Sequence, residues 1–157
     1  HSAKNCSKIT RLTYSSMNVI EINNPSQNIV SNSFIEATLR EGIEKLKKER
    51  IIKSDLQFEI SVALIDKESI KGYNLEYRNA EKTTDVLSFC YEKTKTEIIG
   101  EMLLCLDVIS EYAIEDGSDV LSEFRKNIIH SLLHIIGLEH GSKMFDLQDK
   151  LLEEINE

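Results

Sequence analysis

The sequence has few of the residues that separate or link domains. Proline occurs once, at Pro25, only 6 of the 157 residues are glycine, and no internal repeat is present. No stretch is rich enough in glycine or serine to act as a flexible linker. Hydrophobic residues make up 41% of the chain. These features argue against a multidomain or low-complexity architecture and favour one domain with one core.

Cysteines and long apolar runs are also scarce. Cys6, Cys90 and Cys105 are an odd number without C-x-x-C spacing, which argues against a disulfide framework. Because Cys90 and Cys105 lie within apolar runs, we expect both to be buried side chains in a reducing compartment. No apolar run approaches the roughly 20 residues that a membrane-spanning helix needs, so we expect no membrane partner.

Basic residues are outnumbered by acidic ones, 19 to 27, which gives a formal net charge of −8. This balance disfavours non-specific nucleic-acid binding by the protein as a whole, because phosphate backbones are attracted to broad positive surfaces. It leaves open a local cleft in which a few Arg and Lys residues and a metal ion hold a phosphate.

Apolar patterning predicts an α+β fold. Strands are predicted where apolar and polar residues alternate, at 18–23, 58–64, 86–91 and 98–106. Helices are predicted where apolar residues keep helical spacing, at 33–50, 67–77, 108–115, 119–137 and 144–155. The last two strands are expected to form a hairpin whose loop, 92–97, is too long for a tight turn. We expect a mixed sheet of about four strands with helices packed on it.

Two of these helices carry further signals. The first is predicted to start at a capping box formed by Ser33 and Glu36. The helix at 119–137 is apolar around nearly its whole circumference, which is typical of a helix in the interior. Its one polar stripe consists of Glu123, Asn127, His130, Ser131 and His134.

Three of the four histidines fall within H-S-L-L-H-I-I-G-L-E-H, from His130 to His140. On a helix, His130 and His134 lie one turn apart on one face, about 6 Å along the axis. Gly137 can adopt the left-handed conformation that ends a helix, and a chain that turns back there brings His140 to the same point. Two buried imidazoles without partners would cost about 1–3 kcal/mol each, a cost that a metal removes. The spacing therefore predicts a metal site with these three ligands on a buried C-terminal helix.

The ligand set favours zinc. Three neutral nitrogens suit zinc best, and other divalent transition metals such as nickel, cobalt and copper are the alternative. No further Cys or His lies nearby, so one coordination position is left for water, as in catalytic rather than structural zinc sites. We expect one zinc ion and metal-assisted hydrolysis.

The first sixteen residues differ from the rest of the chain. They contain Lys4, Lys8 and Arg11, several serines and threonines, and no acid. This composition is typical of a disordered leader, either a transit-peptide remnant or residues added for expression. We expect residues 1–16 to form such a leader and residues 17–157 to form a single metallo-hydrolase domain.

The same ligand spacing occurs in metzincin proteases, H-E-x-x-H-x-x-G-x-x-H. In those enzymes the glutamate after the first histidine is the general base. Here Ser131 occupies that position, and a serine hydroxyl cannot serve as that base at neutral pH. The protease alternative therefore keeps its ligands but loses its central residue.

Two segments resemble the YbeY family of bacterial endoribonucleases. Residues 130–140 are similar to the family's H-G-x-L-H-L-x-G-Y-D-H, and residues 76–89 (E-Y-R-N-A-E-K-T-T-D-V-L-S-F) to its E-Y-R-x-x-x-x-P-T-D-V-L-S-F. Residues 99–107 between them resemble L-G-D-I-x-I-S-L-D, and the likeness covers residues 18–155. The family's usual glycine, proline and two aspartates are replaced, in that order, by Ser131, Thr83, Glu101 and Glu139. None of these departures removes a predicted ligand.

The resemblance implies a metal-dependent, single-strand-selective endoribonuclease that acts in ribosomal RNA maturation and ribosome quality control. It implies the three histidines as metal ligands and Arg78 as a catalytic residue, because a guanidinium suits a bidentate phosphate contact. Lys82 is expected to assist in substrate binding.

The implied partners are ribosomal RNA and the small ribosomal subunit, with a ribosomal or assembly protein as a further one. The expected location is the cytoplasm, or an organelle if residues 1–16 are a transit remnant. Two alternatives stay open: a metzincin-like metalloprotease and a non-catalytic, metal-stabilised ribosome assembly factor.

Overall fold

Residues 18–155, which the computed structural model describes, form four strands and five helices. The strands are β1 (Val19–Asn23), β2 (Gln57–Leu64), β3 (Val86–Lys93) and β4 (Glu97–Leu104). The helices are α1 (Asn32–Lys48), α2 (Lys67–Arg78), α3 (Leu106–Asp116), α4 (Val120–Ile135) and α5 (Ser142–Ile155). The expected leader at 1–16 lies outside the described residues. None of these five helices is long and apolar enough to cross a membrane.

The strands form one mixed sheet in the order β1-β2-β4-β3. β1, β2 and β4 are parallel, and β3 is antiparallel to β4 at the end of the sheet. β2 shows why alternation identified these strands: Phe58, Ile60, Val62 and Leu64 are buried, while the residues between them are partly exposed. The predicted α+β fold with four strands is confirmed.

The predicted long loop of the β3–β4 hairpin is wrong. β3 continues to Lys93 and β4 starts at Glu97, so only residues 94–96 connect them. The Thr94 hydroxyl accepts hydrogen bonds from the backbone N–H groups of Thr96 and Glu97, at 3.2 and 3.0 Å. β3 tolerates charged residues at its end because it is an edge strand with much of its surface in solvent. For the same reason Cys90 is exposed, contrary to expectation, whereas Cys105 is buried.

The start of α1 also differs from the prediction. Ser31, not Ser33, is the N-cap, and its hydroxyl accepts a hydrogen bond from the Phe34 N–H at 3.1 Å. Glu36 forms an ion pair with Arg40 at 3.0 Å instead of completing a capping box. With this cap, the first turn of α1 already contributes Ile35 to the core, and Leu39 follows one turn later.

Helices cover the two faces of the sheet unequally. The main core lies between one face and α1, α4 and α5, and α4 is at its centre. A Cβ atom on Gly100 of β4 would lie 2.8 Å from Ile135 Cγ2 and 2.9 Å from the Phe89 carbonyl oxygen, so this glycine lets α4 approach the sheet closely. Alternation puts Leu87 and Leu103 on the opposite face, where they form a smaller cluster with residues of α2 and α3.

Candidate metal centre

Helix α4 presents His130 and His134 from a rigid support. Its N-cap, Asp119, accepts a hydrogen bond from the Ser122 N–H at 3.2 Å, and its apolar side chains are buried against the sheet and the neighbouring helices. The two histidines are half-buried on the stripe predicted from the sequence. Side chains four residues apart on a helix face the same way, so both rings point to the same region.

A sharp turn after α4 delivers the third histidine. Gly137 has a φ of 108°, a value that L side chains rarely adopt. The turn is closed by a hydrogen bond from the Leu138 N–H to the Leu133 carbonyl at 3.0 Å. Lys93 of β3 donates to the Ile136 carbonyl at 2.6 Å, which places a cation at the C-terminal end of α4. The chain then returns to put His140 beside the other two rings.

The Nε2 atoms of His130, His134 and His140 meet at one point. The distances from His134 to His130 and to His140 are 3.1 Å, and that from His140 to His130 is 3.2 Å. Three nitrogens bound tetrahedrally to one ion at 2.0–2.1 Å would be about 3.3 Å apart. The observed triangle therefore fits a single ion, and the three histidines form a group that could hold a metal.

Hydrogen bonds on the far side of two rings favour the tautomer that such an ion needs. His130 Nδ1 lies 2.7 Å from the Gln148 amide oxygen, and His134 Nδ1 lies 3.1 Å from the Leu138 carbonyl oxygen. Both partners are acceptors, so each ring carries its proton on Nδ1 and leaves the Nε2 lone pair available. Burial, and then the neighbouring histidines His130 and His140, lower the pKa of His134, which favours the neutral ligand form.

The three histidines line an open cleft of about 840 Å³ along the β3 edge of the sheet. Arg78, at the C-terminal end of α2, lies in the wall of this cleft, as its predicted role requires. Lys82 does not line it: this residue is exposed on the loop after α2, and its carbonyl accepts a hydrogen bond from the buried Asn74 side chain at 3.0 Å. The structure thus brings Arg78 and the histidines together and leaves Lys82 outside the cleft wall.

Ser131 is completely buried at the position of the metzincin glutamate. Its hydroxyl is 2.7 Å from that of Ser88 on β3, so it ties α4 to the sheet. A buried, neutral hydroxyl with this partner has no means of removing a proton from water at neutral pH. The missing base of the protease alternative is therefore not replaced at this position.

Several cleft residues were missed by the sequence reasoning. Gln148 of α5 orients His130, Phe145 of α5 stacks on the rings of His130 and His140, and Lys126 of α4 adds a second cation. One signal could have found Gln148. Together with Met144 and Leu151 it forms the buried stripe of α5, where a polar residue is unexpected.

An α+β domain in which three histidines converge beside an open cleft has the features of a hydrolase with a candidate metal centre. The family model described as Endoribonuclease YbeY matches residues 21–156. The chain belongs to this family.

Individual relatives agree with this assignment. Endoribonuclease YbeY from Sulfurihydrogenibium sp. is 30% identical over 139 residues, which cover 83% of this chain and 90% of the relative. Endoribonuclease YbeY from Staphylococcus aureus is 34% identical over 125 residues, 70% of this chain and 79% of the relative. The solution structure of the Thermotoga maritima protein TM1509 superposes with a TM-score of 0.57 at 26% identity, over 88% of this chain and 89% of that one. Family membership supports a nuclease role in ribosomal RNA maturation, and neither alternative is favoured.

Proposed function

We propose that this chain is a zinc-dependent endoribonuclease that cleaves single-stranded regions of ribosomal RNA. The observation that carries the proposal is the convergence of three imidazole nitrogens, 3.1–3.2 Å apart, in the wall of an open cleft. Three neutral nitrogens suit zinc and leave a coordination position free. When bound at such a site, zinc lowers the pKa of a water molecule to about 7 and polarises a phosphoryl oxygen.

Arg78 supplies the phosphate contact in this proposal. Its planar guanidinium offers two parallel N–H donors that match two oxygens of a phosphodiester. Negative charge builds on those oxygens as a nucleophile attacks the phosphorus and the pentacovalent transition state forms, and a fixed cation in the cleft stabilises it. Lys126 is less suited to this role, because its ammonium group already lies 3.2 Å from the largely buried Glu123 carboxylate.

Lys82 is proposed as a contact to a neighbouring phosphate, outside the cleft wall. Its exposed position on the loop after Arg78 suits a long, flexible side chain that meets the RNA backbone beyond the reacting group. Such a contact adds affinity without taking part in the chemistry.

Ribosomal RNA as the substrate makes the small ribosomal subunit the proposed partner, with a ribosomal or assembly protein as a second contact. The same substrate puts the proposed site of action in the cytoplasm. The histidines and Arg78 carry the catalytic proposal, whereas these partners rest on the family alone.

The test is cleavage of an end-labelled RNA, supplied single-stranded or annealed to its complement, by the zinc-loaded protein. We expect the single strand to be cut and the duplex to be spared. His134→Ala should reduce cleavage to background, because only two of the three metal ligands remain. Arg78→Ala should reduce the rate about 10²- to 10³-fold, the usual effect of removing one donor that stabilises developing charge.

Tyr112→Ala is the matched control, because Tyr112 is exposed on α3 and does not line the cleft. It should cleave like the wild type. The proposal is wrong if wild type and His134→Ala, purified identically and both folded, cut RNA at the same rate. That result would assign the cleavage to a contaminant.

A further inference from the structure

Four aromatic rings form a continuous row whose two middle rings lie in the cleft wall. The row, here called the aromatic track, consists of Tyr73 and Tyr77 of α2 and Phe89 and Tyr91 of β3. Neighbouring ring centroids are 6.2, 5.1 and 6.2 Å apart in that order. The pairs within each element are nearly parallel, at 16° and 6°, and the pair that joins α2 to β3 meets edge to face at 69°.

The aromatic track is continuous with the candidate active site. Tyr77 and Phe89 line the same cleft as the three histidines and Arg78, while Tyr73 and Tyr91 lie beyond its wall. Tyr77 and Arg78 both line this cleft, so an RNA strand whose phosphate contacts the guanidinium would pass close to an aromatic ring. The inner members of the track thus face the position at which the RNA would be cut.

The core does not account for the three tyrosines. Tyr73, Tyr77 and Tyr91 are 41%, 58% and 64% exposed, although α2 and β3 both have buried faces. Phe89 is partly buried against the smaller hydrophobic cluster that contains Leu87 and Leu103, and this packing attaches the track to the fold. The Tyr91 hydroxyl donates a hydrogen bond to Glu101 at 2.5 Å, which holds that ring in place over the sheet. An ordered row of exposed rings indicates a binding surface rather than packing.

The net charge of the chain indicates that base stacking, more than electrostatic attraction, must supply the affinity for RNA. The chain carries a net charge of −8, which disfavours RNA binding driven by counterion release from a broad positive surface. Base stacking on aromatic rings does not require such a surface, and it is available only to unpaired bases.

We propose that the aromatic track stacks consecutive unpaired bases of the RNA strand whose phosphate lies in the cleft, and thereby selects single strands. This inference rests on the proposed endoribonuclease function and adds the residues that recognise the substrate. Bases within a duplex stack on one another and present only their edges, so the track cannot receive them.

The test is binding of a short fluorescein-labelled oligoadenylate, followed by fluorescence anisotropy, with gel analysis after each titration to confirm that the RNA is intact. We expect Tyr73→Ala and Tyr91→Ala each to weaken binding about 5- to 100-fold, the range for loss of one stacking partner. Tyr73→Phe keeps the ring and should bind like the wild type. Tyr91→Phe also keeps the ring but loses the hydrogen bond to Glu101, so it should retain most, though not all, of the affinity. Tyr112→Ala removes a tyrosine of similar exposure, 42%, outside the track and should also have no effect.

An abasic oligomer of the same length separates stacking from charge. It keeps the phosphates and lacks the bases, so we expect it to bind weakly and equally to the wild type and to both alanine variants. The inference is overturned if the alanine variants bind oligoadenylate like the wild type, as they would if the row of rings docks a protein. It is also overturned if the phenylalanine variants lose as much affinity as the alanine variants.

Cleavage assays on the same preparations keep this inference separate from the proposed function. If cleavage requires His134 but the ring substitutions do not affect RNA binding, the endoribonuclease proposal stands and the proposed role of the aromatic track is wrong. If RNA binding depends on the rings but the wild type cleaves no RNA, the endoribonuclease proposal is wrong and the aromatic track remains an RNA-binding surface.

Discussion

The metal centre draws its histidines from two regions of different physical character. His130 and His134 are half-buried on α4, a helix packed on the sheet and on three other helices. His140 is exposed and follows a turn that depends on the positive φ of Gly137 and on Lys93 from a neighbouring strand. The helical pair is fixed by the core, whereas the position of the third ligand depends on a few local contacts.

Equal distances between the three ligand atoms therefore do not mean that the fold supports the three histidines equally. The three Nε2 atoms form a nearly equilateral triangle, yet only two of them belong to an element that the core holds in place. We therefore expect substitutions around the helical pair to affect both folding and metal binding. Substitutions around the turn should act mainly on metal binding.

The largest expected effect comes from removing one ligand of each kind. His130→Ala and His140→Ala should both weaken zinc binding by more than the roughly 10- to 100-fold that loss of an outer hydrogen-bond partner causes. In the metal-free protein they should differ. His130→Ala leaves the buried Gln148 amide without its partner and should cost about 1–3 kcal/mol. His140→Ala, at an exposed position, should stay within about 0.5 kcal/mol.

Urea unfolding with chelator present, together with a zinc competition assay, measures both quantities. If both variants lose the same free energy of unfolding without metal, the fold supports the helical histidines and His140 alike. The proposed difference between the two regions would then be wrong.

Gln148→Leu probes the support of the helical pair without touching a ligand. The substitution keeps a side chain of similar size but replaces the amide by an apolar group and so removes the acceptor that holds the proton on His130 Nδ1. Zinc affinity should fall about 10- to 100-fold. Gln148→Glu is the matched control, since it restores an acceptor and should recover most of the affinity. Failure of the glutamate to recover more affinity than the leucine would mean that Gln148 acts only by packing.

Gly137→Ala probes the turn. An L side chain at a φ of 108° is strained, and its Cβ would lie 2.8 Å from the Lys93 ammonium nitrogen. Because strain of this kind typically amounts to about 1–3 kcal/mol, zinc affinity should fall about 5- to 100-fold if the turn relaxes and moves His140. The metal-free protein should unfold at nearly the wild-type urea concentration. Gly137→Ala combined with Lys93→Ala relieves the steric contact but also loses the hydrogen bond to the Ile136 carbonyl, so it should not regain the wild-type affinity.

The smallest effect is expected at Asp66, the N-cap of α2, the helix that carries Arg78. Hydrogen bonds from the Ser69 N–H and then the Ser69 side chain lower the pKa of Asp66 below its ordinary value of 3.8. Its ionised form is therefore favoured in the folded state. The resulting stability is complete above the unfolded pKa and is lost as the pH falls through the lower folded value.

Asp66→Asn keeps a capping side chain but removes the titration, so its stability should vary less between neutral pH and about pH 3 than that of the wild type. Thermal unfolding across this range measures the difference. Zinc affinity should not change. A clear loss of zinc binding in Asp66→Asn would mean that α2 supports the metal centre directly.

The sequence predicted most of what local pattern controls. Alternation located β2, and the apolar helix with two histidines one turn apart located α4 and the ligands. The start of α1 was misplaced because Ser31, Asn32 and Ser33 can all cap a helix, and the local sequence pattern does not decide among them. Gln148 was missed because its partner lies 18 residues away and the contact exists only once α5 packs on α4. The aromatic track was missed for the same reason, since its rings come from separate elements.

X-ray absorption at the zinc edge of the loaded protein tests the central claim most directly. Three imidazoles with one position left for solvent predict one zinc per chain, three nitrogen ligands at about 2.0–2.1 Å and a light solvent atom. Histidine scattering should fall from three rings to two in His140→Ala. A sulfur ligand at about 2.3 Å, or a fourth protein side chain in place of solvent, would contradict the claim.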